Sequence, residues 1–144
     1  MKPGILRRLG VILAAWAIGW LVYMVAMAMT VYDGILSLIF QPIIAVFVSA
    51  ACVGVALLVG LLFRIPTLGR LWCSNRLIAV GLALLSILVM LFGSSIGLTE
   101  TFTDTETGRQ FVGLHSAVGL SCYFLLIFAV ANFPFQKPNG DVEG

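Results

Sequence analysis

Four long apolar stretches, separated by short polar segments, make up most of this chain. They lie at about residues 9–31, 35–63, 77–98 and 111–133, and none of them contains Asp, Glu, Lys or Arg. A helix over residues 9–31 is about 34 Å long at a rise of 1.5 Å per residue, which exceeds the roughly 30 Å of hydrocarbon in a bilayer. The pattern therefore predicts four membrane-spanning helices.

The connections between these spans are short, and short connections favour antiparallel neighbours. We therefore predict a single domain over residues 1–144 with an all-α fold, an integral membrane four-helix antiparallel bundle of up-down-up-down topology. Residues 64–76 form the inner loop, and the Thr-rich, acidic outer loop at 99–110 forms either a small hairpin or an irregular cap. The last residues, 134–144, are predicted to be a mobile tail.

The second span has two interpretations at its start, because Gln41 and Pro42 interrupt the apolar run. Proline is tolerated in the first turn of a helix but disrupts its interior. Either residues 35–41 form a short interfacial segment, or one long helix runs from Ile35 with a tilt or kink near Pro42. The tight turn that precedes Ile35 leaves little slack, which favours the long helix.

The distribution of basic residues predicts the orientation. Seven of the eight Lys and Arg residues can lie on one side of the membrane, namely Lys2, Arg7, Arg8, Arg64, Arg70, Arg76 and Lys137, and only Arg109 falls on the other. Basic residues are enriched in cytoplasmic loops, so both termini are predicted to be cytoplasmic, in an inner or plasma membrane. The first apolar run is longer than the core of a signal peptide, which favours an uncleaved first span.

Composition supports the membrane class and excludes others. The chain is 61% hydrophobic and 10% charged, whereas soluble domains are about 45–50% apolar and about 25% charged. A net charge of +2 gives no footprint for nucleic acid. The three cysteines form no Cys-x-x-Cys pair, and with one histidine they predict no metal site.

Small residues recur every four positions in three of the spans, and such spacing marks helix-packing faces in lipid. The predicted faces are Cys52, Ala56 and Gly60 in the second span, Gly93 and Gly97 in the third, and Gly113, Ala117 and Ser121 in the fourth. They serve packing within the bundle or a partner subunit. Trp16, Trp20 and Tyr23 form an aromatic stripe on the first span. The stripe predicts contact with lipid, with other helices of the bundle, with a membrane partner or with a flat hydrophobic cofactor.

His115 is the only histidine and lies near the outer end of the fourth span. Asp33, Gln41, Ser94 and Ser95 are expected at the same end, where they form an outer polar cluster. Polar groups in spans are functional hypotheses by default. His115 is therefore either a structural residue that bonds a neighbouring loop or helix, or a proton or ligand site. No cofactor is required by the sequence. Haem is the cofactor alternative, and its second ligand would come from another copy, another subunit or a methionine.

The spans lack the charged residues that proton-coupled transport, a charged pore or an activated nucleophile would need. We therefore predict no enzyme, but a small accessory, scaffold or assembly subunit. Its partners would be membrane lipid and other membrane protein subunits, or further copies in a homo-oligomer. The alternatives are a redox subunit that binds haem or another cofactor through His115, and a small transporter or channel for neutral or hydrophobic solutes.

Overall fold

The computed structural model describes residues 3–30, 34–103, 108 and 110–134. The described chain forms five α-helices and one β-hairpin: α1 (Pro3–Thr30), α2 (Gly34–Gly60), α3 (Pro66–Ser74), α4 (Arg76–Phe92), β1 (Thr99–Thr103), β2 (Gln110–Leu114) and α5 (Ser116–Ala131). Short 3₁₀ helices extend α2 over Leu61–Arg64 and α4 over Gly93–Ile96. The described part is thus mostly helical.

Three helical segments are long and apolar enough to cross a membrane: Ile5–Ala28, Ile39–Phe63 and Arg76–Ile96. They correspond to the first three predicted spans and support the predicted membrane location. Helix α2 runs without a break from Gly34 to Gly60 with Pro42 inside it. The interpretation of residues 35–41 as a separate interfacial segment is therefore wrong, and the continuous helix is the one observed.

The fourth apolar stretch differs from its prediction at its start. Residues 111–114 belong to strand β2, which pairs antiparallel with β1 so that Phe102 faces Phe111. The helical span predicted over 111–133 was wrong there, and α5 begins only at Ser116. A short apolar run fits a strand as well as a helix, and here the cross-strand pairing with β1 decides.

The predicted inner loop contains a helix of its own. Pro66 occupies the first turn of α3, where its missing N–H costs nothing. Asn75 separates α3 from α4, and its side-chain oxygen accepts a hydrogen bond from the Leu77 N–H at 3.0 Å. Asn75 therefore ends α3 and starts α4. The segment between α2 and α4 is a short amphipathic helix.

Helix α5 lies at the centre of the fold, where α1, α2 and α4 all pack against it. Its buried residues are Cys122, Tyr123, Leu126, Ile127, Phe128 and Ala129. Helices α1 and α2 also pack against each other, whereas the main partner of α4 is α5. With 16 residues, α5 is about 24 Å long, and its neighbours cover its middle and its end near α3.

Candidate functional site

Trp16 and Trp20 hold α1 against α2 through their indole nitrogens. Trp16 Nε1 donates to the Val46 carbonyl at 3.4 Å, and Trp20 Nε1 donates to the Pro42 carbonyl at 3.2 Å. The donor number rises by four from Trp16 to Trp20, while the acceptor number falls by four from Val46 to Pro42. This pairing is the one expected for two antiparallel helices. Both rings are therefore fixed in orientation by α2.

These indoles form the wall of an open groove between α1 and α2, which we call the aromatic groove. Its volume is about 360 Å³, and it is lined by Trp16, Ala17, Trp20, Pro42, Ile43 and Val46. Both indole N–H groups already donate to backbone carbonyls. The groove thus offers apolar surface for a hydrocarbon chain or an apolar side chain, and no acid, base or nucleophile.

Tyr23, the third member of the predicted stripe, faces a different neighbour. Its ring lies edge-on to that of Tyr123, with centroids 6.4 Å apart. The Tyr123 hydroxyl is buried and donates to the Gly19 carbonyl at 3.0 Å. Tyr23 therefore belongs to the contact between α1 and α5, and the stripe divides into a groove part and a packing part.

The small residues predicted on α2 lie on its inward side. Ala56 is fully buried, Cys52 is half-buried, and Gly60 lies against the side chain of Asn132. On the 3₁₀ helix that extends α4, Gly93 is buried, and a Cβ placed on it would meet Leu114 of β2. The structure thus brings α2 against the end of α5, and α4 against the hairpin.

Gly93 and Gly97 do not form a helical face, because Gly97 follows the 3₁₀ helix with a φ of 87°. This left-handed conformation favours glycine, and it turns the chain into β1. Gly113 lies in β2, where a Cβ would approach the Phe102 ring to 3.1 Å. The predicted helical spacings of Gly93 with Gly97, and of Gly113 with Ala117, are therefore wrong.

Ala117 and Ser121 lie on α5 and are exposed. The Ser121 hydroxyl donates back to the Ala117 carbonyl at 2.7 Å. This bond satisfies the hydroxyl within the helix, so the two residues present a small and effectively apolar patch. Its use by a partner helix stays a prediction.

The predicted outer polar cluster stays a prediction, because no described hydrogen bond joins its members. Asp33 lies outside the described residues, and Ser94 and Ser95 are exposed on the 3₁₀ helix after α4. The Gln41 Oε1 atom is buried without a hydrogen-bond partner among the described residues. No described hydrogen bond joins Gln41, Ser94 or Ser95 to His115.

His115 instead belongs to the start of α5. It is the N-cap residue, and its Nδ1 accepts a hydrogen bond from the Ala117 N–H at 3.3 Å. The backbone N–H of His115 donates to the Leu98 carbonyl at 3.0 Å. These bonds tie the end of β2 to the start of α5, so the position of His115 is accounted for by capping.

Glu100 of β1 completes this arrangement, which we call the hairpin cap (Glu100, His115 and Ser116). Glu100 Oε2 accepts from the Ser116 N–H at 3.0 Å and from the Ser116 hydroxyl at 2.8 Å. The hydrogen bonds from the Ser116 backbone N–H and then from its hydroxyl hold the pKa of Glu100 below its usual value, against the opposing effect of desolvation. A carboxylate at a helix N-terminus also suits the helix dipole.

The hairpin cap has the residue types of a hydrolytic triad but not its geometry. The Ser116 hydroxyl donates to Glu100, and His115 Nδ1 accepts from a backbone N–H. His115 Nδ1 lies 4.0 Å from Glu100 Oε2, and an ion pair there would require protonation of the nitrogen that now accepts. The shorter hydrogen bond to Ala117 and this ion pair exclude each other, and the bond fits the helix start.

A haem would have to use the other ring nitrogen, His115 Nε2, and a second ligand. Groups of three or more His, Cys, Asp or Glu side chains that could hold a metal ion are absent from the described residues. Haem binding at His115 stays a prediction. An absorption spectrum of the purified protein, with and without the substitution His115→Ala, tests it directly.

Two residues outside the predicted sites, Trp72 and Asn132, form a polar contact that we call the α3 latch. Trp72 Nε1 donates to the Asn132 carbonyl at 2.7 Å. The Asn132 side-chain Nδ2 donates to the Ala56 carbonyl at 3.0 Å and to the Phe128 carbonyl at 3.2 Å. The only sequence signal was a polar residue at the end of an apolar run, two positions before Pro134.

Comparison with protein-family models, curated proteins and solved structures gave no match to this chain. The sites that its own geometry presents are the aromatic groove on the side of α1 and α2, the hairpin cap at one end, and the α3 latch at the other. The hairpin cap and the α3 latch join elements of the fold. The aromatic groove differs from both in that it presents open apolar surface.

Proposed function

We propose that the protein is a four-span integral membrane protein in which α1, α2, α4 and α5 each cross the bilayer with both termini on the cytoplasmic side. The short α5 is supported in this role by its position, because it runs from the hairpin to the α3 latch beside α1, α2 and α4. The grouping of Arg7, Arg8, Arg64, Arg70 and Arg76 by sequence supports the orientation.

We further propose that its role is that of a non-catalytic accessory, scaffold or assembly subunit, which binds a larger membrane protein through the aromatic groove. The observation that carries this proposal is the pair of indoles fixed by hydrogen bonds to α2. Interfaces concentrate their binding energy in a few aromatic anchors and the pockets beside them. Side chains that are already fixed lose little freedom on binding, so the groove is suited to receive an apolar side chain of a partner helix.

Site-specific photo-cross-linking in native membranes tests this role. A small diazirine side chain of about isoleucine size in place of Ile43, which lines the groove and is 51% exposed, is expected to give a discrete protein adduct. The matched control is the same side chain at Leu84, a 55% exposed residue of α4. Adducts at both positions with equal yield, or a protein that runs alone in mild detergent with no adduct at Ile43, would contradict the proposal.

A groove-filling substitution gives the complementary measurement. Ala17→Phe is expected to fill the groove and to reduce recovery of the partner, because the apolar side chain it should receive no longer fits. The fold should tolerate the change, since Ala17 is exposed. Thermal unfolding in detergent separates loss of partner binding from loss of folding.

A further inference from the structure

Helix α3 is fixed in its rotation about its own axis. Trp72 is 8% exposed, its ring lies 5.1 Å from that of Phe63 and 5.5 Å from that of Phe128, and its Nε1 donates to Asn132. One turn earlier, a Cβ on Gly69 would lie 2.6 Å from the Phe63 carbonyl oxygen. Gly69 and Trp72 therefore mark the side of α3 that faces the protein.

Arg70 is placed on the opposite side of the same helix. It precedes Trp72 by two residues, which corresponds to about 200° around the axis. Its side chain is exposed accordingly. The contacts of Trp72 and Gly69 thus hold the guanidinium of Arg70 away from the protein, at the end of the molecule where α2 stops and α4 begins.

The protein offers no acidic residue near this helix along the chain. Residues 34–99 contain Arg64, Arg70 and Arg76 but no Asp or Glu. Asp33 is the only acidic residue before Glu100, and Glu100 is engaged in the hairpin cap at the other end of α5. The counter-charge for the exposed Arg70 therefore comes from a distant part of the chain, such as Asp141 and Glu143, or from another molecule.

We propose that α3 is an anionic-lipid-binding helix, which holds the phosphate of a negatively charged lipid headgroup on Arg70. A guanidinium presents a planar set of donors that matches phosphate oxygens. A helix joining two membrane segments lies where headgroups are, and each basic residue at such a surface strengthens the attraction to anionic lipid. The α3 latch supplies the rigidity, because it aims Arg70 outward before lipid binds.

Quenching of Trp72 fluorescence by brominated lipids tests this proposal in the full-length protein. Trp16→Phe and Trp20→Phe leave Trp72 as the single tryptophan. Vesicles with bromine on either phosphatidylglycerol or phosphatidylcholine then give the preference of the α3 surface for the anionic lipid. We expect a clear preference for phosphatidylglycerol, reduced about fivefold by Arg70→Gln and abolished in 1 M salt.

Arg109→Gln is the matched control, because it removes one positive charge from the segment between the two strands and should leave the preference unchanged. Equal quenching by the two lipids in the unsubstituted chain, or an equal loss with Arg70→Gln and Arg109→Gln, overturns the proposal. Asp141→Asn with Glu143→Gln tests the C-terminal acids as the alternative occupant. A preference that appears only in this double variant also overturns it.

Discussion

Gly19 shows how closely the helices approach at the level of single residues. A Cβ placed on Gly19 would lie 2.9 Å from Ile127 Cδ1 and 3.3 Å from the Tyr123 hydroxyl oxygen. Ile127 is fully buried, and Tyr123 bonds the carbonyl of the same glycine. Without a side chain at position 19, α1 and α5 pack in direct contact, which is the main source of helix association in lipid.

Gly19→Leu is therefore expected to destabilise the protein by about 1–3 kcal/mol through overpacking. Gly10→Leu on the same helix is the control, because a Cβ at Gly10 meets nothing within 4 Å. Unfolding followed in mixed detergent micelles measures both. Similar stability for the two variants would show that the contact of α1 with α5 is looser than these distances indicate.

Only part of this residue-level pattern follows from the sequence. The four-residue spacing predicted the small residues on α2, of which Ala56 is fully buried. It did not indicate Gly19, nor Ala79 and Ser86, which are the buried residues of α4. Lipid and the protein interior are both apolar, so hydrophobicity alone cannot say which side of a membrane helix meets its neighbour.

At the scale of elements, the hairpin and the start of α5 depend on contacts that are distant in sequence. Phe102 and Phe111 stack with centroids 5.5 Å apart, and Glu100 caps α5 from 16 residues away. Residues 111–114 carry no helix-breaking residue besides Gly113, so the local sequence permitted a helix there. The Thr-rich composition did favour β structure over part of the segment, and the hairpin was one of the two forms it allowed.

The hairpin cap predicts a dependence on pH. Because hydrogen bonds from Ser116 lower the pKa of Glu100 in the folded state, the carboxylate stabilises the cap above the pKa it has in the unfolded chain. That contribution is lost as pH falls through the lowered pKa of the folded state. Hydrogen exchange of the Ser116 amide should therefore accelerate at acidic pH.

Glu100→Gln provides the control for this prediction. Glutamine keeps a side-chain oxygen that accepts from Ser116 but carries no charge. Exchange of the Ser116 backbone amide in this variant should therefore lack the acidic transition, after correction for intrinsic rates. The charged form should also protect the amide more strongly at neutral pH, since it suits the helix dipole. An identical pH profile in both proteins would show that Glu100 does not cap α5.

At the scale of the whole molecule, the central place of α5 organises the packing. The sequence predicts the order of spans and their reversal of direction, because these follow from apolar length and loop length. It does not rank the spans by burial, and α5, which is shorter than the three long apolar segments, is the most enclosed helix. Its two ends are fixed by the hairpin cap and by the α3 latch, whose polar partners lie far apart in the chain.

The α3 latch can be divided by mutation because its bonds leave from different atoms of Asn132. Asn132→Ala removes the side-chain bond to the Ala56 carbonyl but keeps the backbone carbonyl that Trp72 uses. We expect a loss of about 0.5–1.5 kcal/mol in unfolding free energy, in line with hydrogen bonds between membrane helices. Amide exchange in α3 should change little.

Trp72→Phe keeps most of the ring packing and removes the bond to Asn132, so exchange across residues 66–74 should accelerate while α2 and α5 stay protected. If both variants accelerate amide exchange equally in α3 and in α2, the two hydrogen bonds act as one unit. In that case α3 belongs to the core of the bundle and is not a separate helix held against the end of the bundle.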